Sequence, residues 1–354
     1  MVKRVCCVLL SLLLAGGLVG CAPFSFAPKR SQTYMDVFDT VTEITAYGMS
    51  AQEFEQDVEK LHAELKAYHR LYDIYNTYPE MHNLKTVNDA AGGAPVEVDG
   101  RILDLLEYGL EAYERTNGRV NFLLGAVLSL WHDAREQGLE KPATAALPDK
   151  AALMAASAHV SPDTLVIDRA AGTVRLTDPA ARIDVGALAK GYAVEQVARY
   201  AEQQLGWSSA LLSVGGNIRT IGGKGGADSD TPFVVGIQNP DTASAKTYLT
   251  TVKVTDMAVV TSGDYQRYYT VDGKNYAHII DPDTRYPAEY VRAVTVVCAD
   301  SALADVLSTA LYCLPPERGK TLLGEFPNAH AVWVLKDGSL AYSDGFAAYM
   351  GDDV

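Results

Sequence analysis

The chain is poor in cysteine, has no basic stripe, and carries none of the glycine or serine signatures that mark the commonest nucleotide and acyl-transfer enzymes. Of its five cysteines, Cys6, Cys7 and Cys21 fall at the extreme N-terminus. Only Cys298 and Cys313 remain for the body, so a disulfide-stapled fold is excluded. Those two form either one bond in an oxidising compartment or a pair of buried thiols. Lysine and arginine number 30 against 44 acidic residues, a formal charge of −14. With so little cationic surface to neutralise phosphates, the composition argues against nucleic acid as a partner. No G-x-G-x-x-G sits between a strand and a helix, and the glycine cluster at 222–226 lacks that context. No serine occupies a G-x-S-x-G elbow, and no Cys–His pair suggests a thiol enzyme. Internal repeats and low-complexity tracts are absent.

What is present starts with a leader, MVKRVCCVLLSLLLAGGLVGC. Two cations, Lys3 and Arg4, precede an apolar run of about a dozen residues, too short for a permanent membrane span and typical of a secretion signal. Leu18-Val19-Gly20-Cys21 forms a lipobox. Residues 1–20 are therefore expected to leave as a signal peptide. Cys21 is expected to become the acylated first residue, anchored at the extracytoplasmic face of the cell membrane, where stable attachment takes two or more lipid signals. The competing reading is an ordinary cleaved signal with a chance cysteine. Without Lys3 and Arg4 the charge of −14 becomes −16. Residues 21–32 read as a tether and 33–350 as the folded part, whose composition, 48% hydrophobic and 21% charged, supplies a substantial core.

Along that part, residues 33–47 alternate like a single strand, and Phe54, Val58, Leu61, Leu65, Tyr68, Leu71 and Tyr72 mark a helix over 51–75. Further helices are expected at 101–117, 120–137 and 148–158, followed by a hairpin turning near Gly172. The second half predicts a strand from Arg182, a helix ending at Gly206, and strands at 210–214, 218–221, 233–237, 247–254, 267–271, 276–280 and 293–298. Asp272-Gly273 is a hairpin signal. A helix over 302–314, a short helix and two strands finish the chain. Strands and helices without regular βαβ repetition predict an α+β fold of mixed or antiparallel sheets with helices, two subdomains around a cleft, and not a Rossmann fold.

Three segments could carry chemistry. Asp184-Val185-Gly186-Ala187-Leu188-Ala189-Lys190-Gly191 precedes a helix, where free amides and the dipole attract anions and Lys190 adds a charge; small residues there also simply let a helix pack closely. Asp305 and Thr309 lie four apart on one helix face, two oxygen donors that suit Mg²⁺, although a capping Asp and a back-bonded Thr would look the same. His278, in YAHIIDP, ends a strand before a Pro-bearing turn, a place for a general base or for a satisfied half-buried histidine. Two glycine-containing turns, SVGGN at 213–217 and TSGDY at 261–265 with Ser262 and Gly263, offer hydroxyls and amides to a phosphate or ribityl chain.

In order, IDVGALAKGYAVE, LLSVGGNI, VVTSGDYQRYY, YAHIIDPDTRYP and ADVLSTAL resemble the ApbE family of FAD:protein FMN transferases over about residues 33–350. The resemblance implies FAD as substrate and Mg²⁺, or Mn²⁺ in its place, held by the Ala187 carbonyl, Asp305 and Thr309. It casts His278 as catalytic base, Lys190 as stabiliser of developing charge, and Tyr75 as the aromatic against the isoalloxazine. It also implies an acceptor flavoprotein carrying a Ser/Asp-Gly/Ala-x-Thr-type motif. Phe38-Asp39-Thr40 stands where many members read Met-Gly-Thr near the adenine. Asp73-Ile74 replaces a Ser-Thr pair, Arg285 a usual Gly, and Glu195 an Asp; the resemblance implies nucleotide contacts at Phe38, Thr40 and Glu195, and the metal and base positions are unchanged. Two other activities fit the same residues: a metal-dependent FAD pyrophosphatase that releases FMN and AMP, and a non-catalytic flavin-binding lipoprotein.

Overall fold

A computed structural model describes residues 27–351; the signal peptide and Cys21 lie outside the described residues. Among the described residues no helix is long and apolar enough to cross a membrane. The chain opens with a hairpin, β1 (Lys29–Val37) and β2 (Thr40–Tyr47), and continues through α1 (Ala51–Tyr72), α2 (Leu84–Asp89), β3 (Val96–Glu97), α3 (Gly100–Arg115), α4 (Gly125–Glu140) and α5 (Lys150–Ala156). The hairpin β4 (Leu165–Asp168) and β5 (Thr173–Leu176) leads to α6 (Ala189–Leu205). Then come β6 (Ala210–Val214), β7 (Asn217–Ile221), β8 (Phe233–Gln238), β9 (Tyr248–Val254), β10 (Ala258–Gly263), β11 (Tyr268–Val271) and β12 (Lys274–Ala277). The chain closes with β13 (Ala293–Cys298), α7 (Ser301–Tyr312), α8 (Pro316–Leu323), β14 (His330–Val334) and β15 (Leu340–Tyr342).

Eight strands form one antiparallel sheet in the order β1-β2-β6-β7-β10-β13-β14-β15. Its inward residues, Ile44, Leu212, Val260 and Val296 among them, share a core with α1, α3, α6 and α7. The opposite face packs on the β8–β9 hairpin and Phe346. A separate apolar cluster joins Val127 and Trp131 of α4, Leu153 of α5, and Tyr269 and Val271 of β11. The cleft lies between this cluster and the main core, as an α+β architecture of two subdomains requires. Cys298 and Cys313 are free and buried, and desolvation pushes both thiols well above their ordinary range.

The expected strand 33–47 is two strands, because Phe38 and Asp39 both take left-handed φ, +52° and +50°, and make a two-residue turn. Phe38 is not a turn former and no glycine accompanies Asp39, so the alternating pattern runs through the bend unbroken. The Phe38 amide donates to His69 Nδ1 at 3.2 Å, which offsets part of the strain. Strand β1 begins at Lys29, inside the segment read as tether. Helix α1 stops at Tyr72, not at 75, since Asp73 accepts from the amides of Tyr75 and Asn76 and from the Tyr78 hydroxyl, at 2.7, 3.0 and 2.9 Å. Burial alone would raise the Asp73 pKa, but these donors outweigh it and hold the carboxyl below its usual range. The helix expected from 120 starts at Gly125, and the strand expected from Arg182 is a single bridge to Leu124. Thr261-Ser262-Gly263 belongs to the central strand β10 and not to a turn.

Helices α6 and α7 meet at Gly191. A methyl group there would lie 2.4 Å from Asp305 Cβ and 2.5 Å from the Ser301 carbonyl. Buried Glu195, one turn on, accepts from the Ser301 amide at 2.8 Å and pairs with Arg219 at 3.2 Å and Arg199 at 3.0 Å. Thus α6 fixes the start of α7 twice, once by close approach and once by charge. Gly191→Ala is expected to lower unfolding stability by about 1–3 kcal/mol, the usual cost of overpacking, read as a lower denaturant midpoint. A variant as stable as wild type would show that the helices separate freely.

Candidate active site

A cleft of about 660 Å³ gathers residues from nearly every part of the chain. The loop leading into α6 contributes Ala187 and its first turn Lys190, α7 contributes Asp305 and Thr309, and β10 contributes Ser262 and Gly263. Trp131, Tyr269 and Tyr276 line the opposite side; Asp39, Thr40 and Tyr75 also border it. Of the residues singled out in the sequence, Ala187, Lys190, His278, Asp305, Thr309, Tyr75, Thr40, Ser262 and Gly263 therefore share one cavity.

Asp305 and Thr309 occupy one face of α7 as their spacing predicts. Asp305 Oδ2 accepts the Gly191 amide at 2.8 Å, and its second oxygen has no hydrogen-bond partner among the described residues. Thr309 Oγ1 lies 3.4 Å from Ser262 Oγ, and Ser262 also bonds Ser308 at 2.8 Å. Among the described residues no three His, Cys, Asp or Glu side chains cluster to cage a metal. The local set is one carboxylate with neutral oxygens, a donor chemistry that suits a hard cation completing its shell with substrate phosphates and water.

His278 follows β12 directly. Its Nδ1 sits 3.1 Å from the Arg267 carbonyl, so that nitrogen carries the proton and Nε2 is left as an acceptor. Desolvation by the surrounding protein is the largest influence on the ring, and Arg267, Lys190 and Arg135 add cationic repulsion, lowering its pKa to about 4. The imidazole edge nonetheless opens to the cleft, and solvent there softens the desolvation while the repulsion persists. Both causes keep the ring neutral at physiological pH.

The chain as a whole is acidic, yet the charged residues lining the cleft are four cations, Arg119, Arg135, Lys190 and Arg267, against three carboxylates, Asp39, Asp184 and Asp305. Lys190 Nζ reaches Asn217 Oδ1 at 3.5 Å. Asn217 begins β7 behind the Gly215-Gly216 turn, both of whose φ values are positive, and the 213–217 segment is the hairpin expected. Arg119 is braced by Asp281 at 3.4 Å and by Asp283. Burial pushes the Asp184 carboxyl up, although it accepts the Gly186 amide at 2.9 Å. Tyr75, 54% exposed, stacks on His132 with centroids 4.9 Å apart.

Two expected contacts fall elsewhere. Glu195 does not line the cleft; it is the buried partner of Arg219, Arg199 and the Ser301 amide described above. Phe38 packs against His69 with its ring edge-on, 5.5 Å between centroids, leaving its neighbours Asp39 and Thr40 at the cleft. Conversely, Arg119, Arg135, His132, Trp131 and Asp184 were not singled out. The arginines read as solvated helix or loop cations, and only Asp184 stood inside a quoted motif. Arg285 explains one departure from the family pattern: its φ is +64°, a position where glycine sits without strain, and its carbonyl accepts Trp131 Nε1 at 2.8 Å.

A family model described as the ApbE family matches residues 38–333. A FAD:protein FMN transferase of Treponema pallidum is 35% identical over 275 residues, covering 74% of this chain and 73% of that protein. The FAD:protein FMN transferase of Escherichia coli K12 is 29% identical over 321 residues, 88% of each chain. Among solved structures, the ApbE protein of Thermotoga maritima aligns with a TM-score of 0.78 at 26% identity, over 92% of this chain and 100% of its own. The flavin transferase ApbE of Vibrio cholerae gives 0.75 at 24% identity over 91% and 99%, a likeness of fold. With sequence, architecture and cleft in agreement, the chain belongs to the ApbE family.

Proposed function

We propose that this protein is a Mg²⁺-dependent FAD:protein FMN transferase that moves the FMN half of FAD onto a threonine or serine hydroxyl of an extracytoplasmic or membrane redox protein, releasing AMP. The observation that carries this reading is the meeting, in one cleft, of a neutral His278 with the oxygen set of Asp305, Thr309 and Ala187 and a surplus of cations. Its acceptor would present a Ser/Asp-Gly/Ala-x-Thr-type segment. A lipid on Cys21 would hold the enzyme at the extracytoplasmic face of the cell membrane.

Within the cleft, Lys190, Arg267 and Arg135 attract the pyrophosphate and oppose the charge that grows on it. Tyr75 supports the isoalloxazine from a surface already held by His132, and the 73–76 turn aims it there. The free oxygen of Asp305, with the Thr309 hydroxyl and the Ala187 carbonyl, would hold Mg²⁺. When bound, that ion supplies positive charge against the phosphate oxygens, and Mn²⁺ could replace it. His278 Nε2 accepts the proton of the acceptor hydroxyl as its oxygen bonds to the FMN-side phosphorus; the phosphoanhydride bond breaks and AMP leaves.

Purified protein incubated with FAD, Mg²⁺ and an acceptor domain is expected to add the mass of FMN to the acceptor. Rapid AMP release with an unmodified acceptor would instead indicate a FAD pyrophosphatase, and intact FAD after hours would indicate a flavin-binding lipoprotein. His278→Ala is expected to slow transfer by about two to four orders of magnitude while FAD affinity is largely kept; an equally active variant removes the histidine from the reaction. Because the folded imidazole titrates below the 6.5 of a free one, the rate is expected to stay flat from pH 8 down past 6.5 and to fall only below it. An acid limb centred at 6.5 or above would contradict the cation array. Asp305→Ala is expected to raise the Mg²⁺ concentration for half-maximal rate at least tenfold, and unchanged metal dependence would place the ion elsewhere.

A further inference from the structure

Beside the flavin cleft lies a second, polar pocket of about 300 Å³ that shares Thr242, Tyr265 and Ala277 with it. One wall is β12, through Lys274, Asn275 and Ala277; the other is the segment from Pro287 to Arg292. The two walls begin as a ladder. Ile280 bridges Pro287, and the Ala288 amide donates to the Ile279 carbonyl at 3.0 Å. Pairing then stops, and the gap between the walls is the pocket.

The hairpin register shows which backbone groups face that gap. Asp272 and Gly273 form a two-residue turn with φ of +49° and +78°. In such a hairpin the flanking pair, Val271 and Lys274, exchanges hydrogen bonds, and every second pair after it does likewise. Tyr269 with Tyr276 and Arg267 with His278 follow that order, and the His278 amide does donate to the Arg267 carbonyl at 3.1 Å. The amides and carbonyls of Asn275 and Ala277 therefore point away from β11, along the edge that lines the pocket. Three cations line it, Lys274, Arg292 and Lys336, against two carboxylates: Glu289 pairs with Lys274 across the gap at 2.6 Å and lies 4.0 Å from Lys336, and Asp264 is 3.7 Å from Arg292, so the excess is a single positive charge.

We propose that this pocket is the docking groove for the acceptor polypeptide, which enters as a short extended strand on the outer edge of β12, with acidic side chains flanking the hydroxyl that it delivers to His278. The inference rests on the transferase reading and gives that reading its partner's path. Edge addition takes affinity from main-chain bonds and selectivity from the side chains beside them. Ala277 belongs to both cavities and directly precedes the base, so a strand bonded there ends within reach of Nε2.

Asn275→Pro deletes the outward amide while leaving the hairpin ladder intact, since proline is tolerated on an edge whose N–H faces outward. Asn275→Ala controls for the side chain, which bonds Thr270 at 2.8 Å. The probe is a mixed library of extended peptides, each with one threonine, incubated with full-length protein, FAD and Mg²⁺ and read by the added mass of FMN. Labelling by wild type is expected to enrich peptides with Asp or Glu beside the threonine at least fivefold over those with Lys, and Lys336→Glu should shrink that preference. Asn275→Pro should label at least tenfold more slowly than Asn275→Ala, through KM, with FAD affinity within about twofold of wild type. Equal labelling by the two variants, or a preference for lysine flanks, overturns the groove and spares the transferase reading. FAD cleavage with no labelled peptide from wild type overturns both.

Discussion

The contact between α6 and α7 at Gly191 is the constraint on which the remaining chemistry depends. There the absence of a side chain lets two helices approach until one backbone amide meets one carboxylate, Gly191 to Asp305 Oδ2 at 2.8 Å. That bond does three things at once. It caps an amide of the first turn of α6, it orients Asp305 so that only one of its oxygens is engaged among the described residues, and it brings Lys190 and Ala187 to the same cavity as Thr309. Glu195 fixes the sliding coordinate from behind, since its carboxylate holds the first amide of α7. A residue that looked like a nucleotide contact is therefore a brace, and its exchange for the family's aspartate is a matter of reach between two helices.

Electrostatic asymmetry follows from the same arrangement. An acidic protein would repel a pyrophosphate, yet its cleft reverses the sign locally because Arg119, Arg135, Lys190 and Arg267 arrive there from four separate segments. The reversal serves two ends. It favours an anion in a region of reduced screening, and it adds to desolvation in keeping His278 neutral, with Nε2 left as an acceptor.

Much of this was legible in the order of residues. Helical periodicity gave α1, α3, α6 and α7, and the four-residue step from Asp305 to Thr309 placed both on one face correctly. The hairpins at Gly172, Gly215-Gly216 and Asp272-Gly273 announced themselves through glycine. What escaped had a physical reason in each case. The Phe38-Asp39 turn opens on a phenylalanine, which seldom adopts left-handed φ, and holds no glycine, so nothing interrupts the strand pattern. The 182–185 segment, Arg-Ile-Asp-Val, alternates charged and apolar residues like a strand, but among the described residues it has no neighbouring strand beyond one bridge. Arg119 and Arg135 acquire meaning only through tertiary neighbours, because a cation beside a helix is ordinarily a solvated one. The residues read as metal and base candidates lie in one cleft, and local spacing had drawn attention to them; the cation array was missed because only folding assembles it.

Strand β1 starts at Lys29 and forms one border of the large sheet. If Cys21 carries a lipid, the eight residue steps between them span roughly 25–30 Å at full extension. The enzyme would then work as a moored crane with a short cable. It would sweep a thin layer above the bilayer, and an acceptor whose threonine stood far outside that layer would stay unmodified however well its sequence suited the cleft.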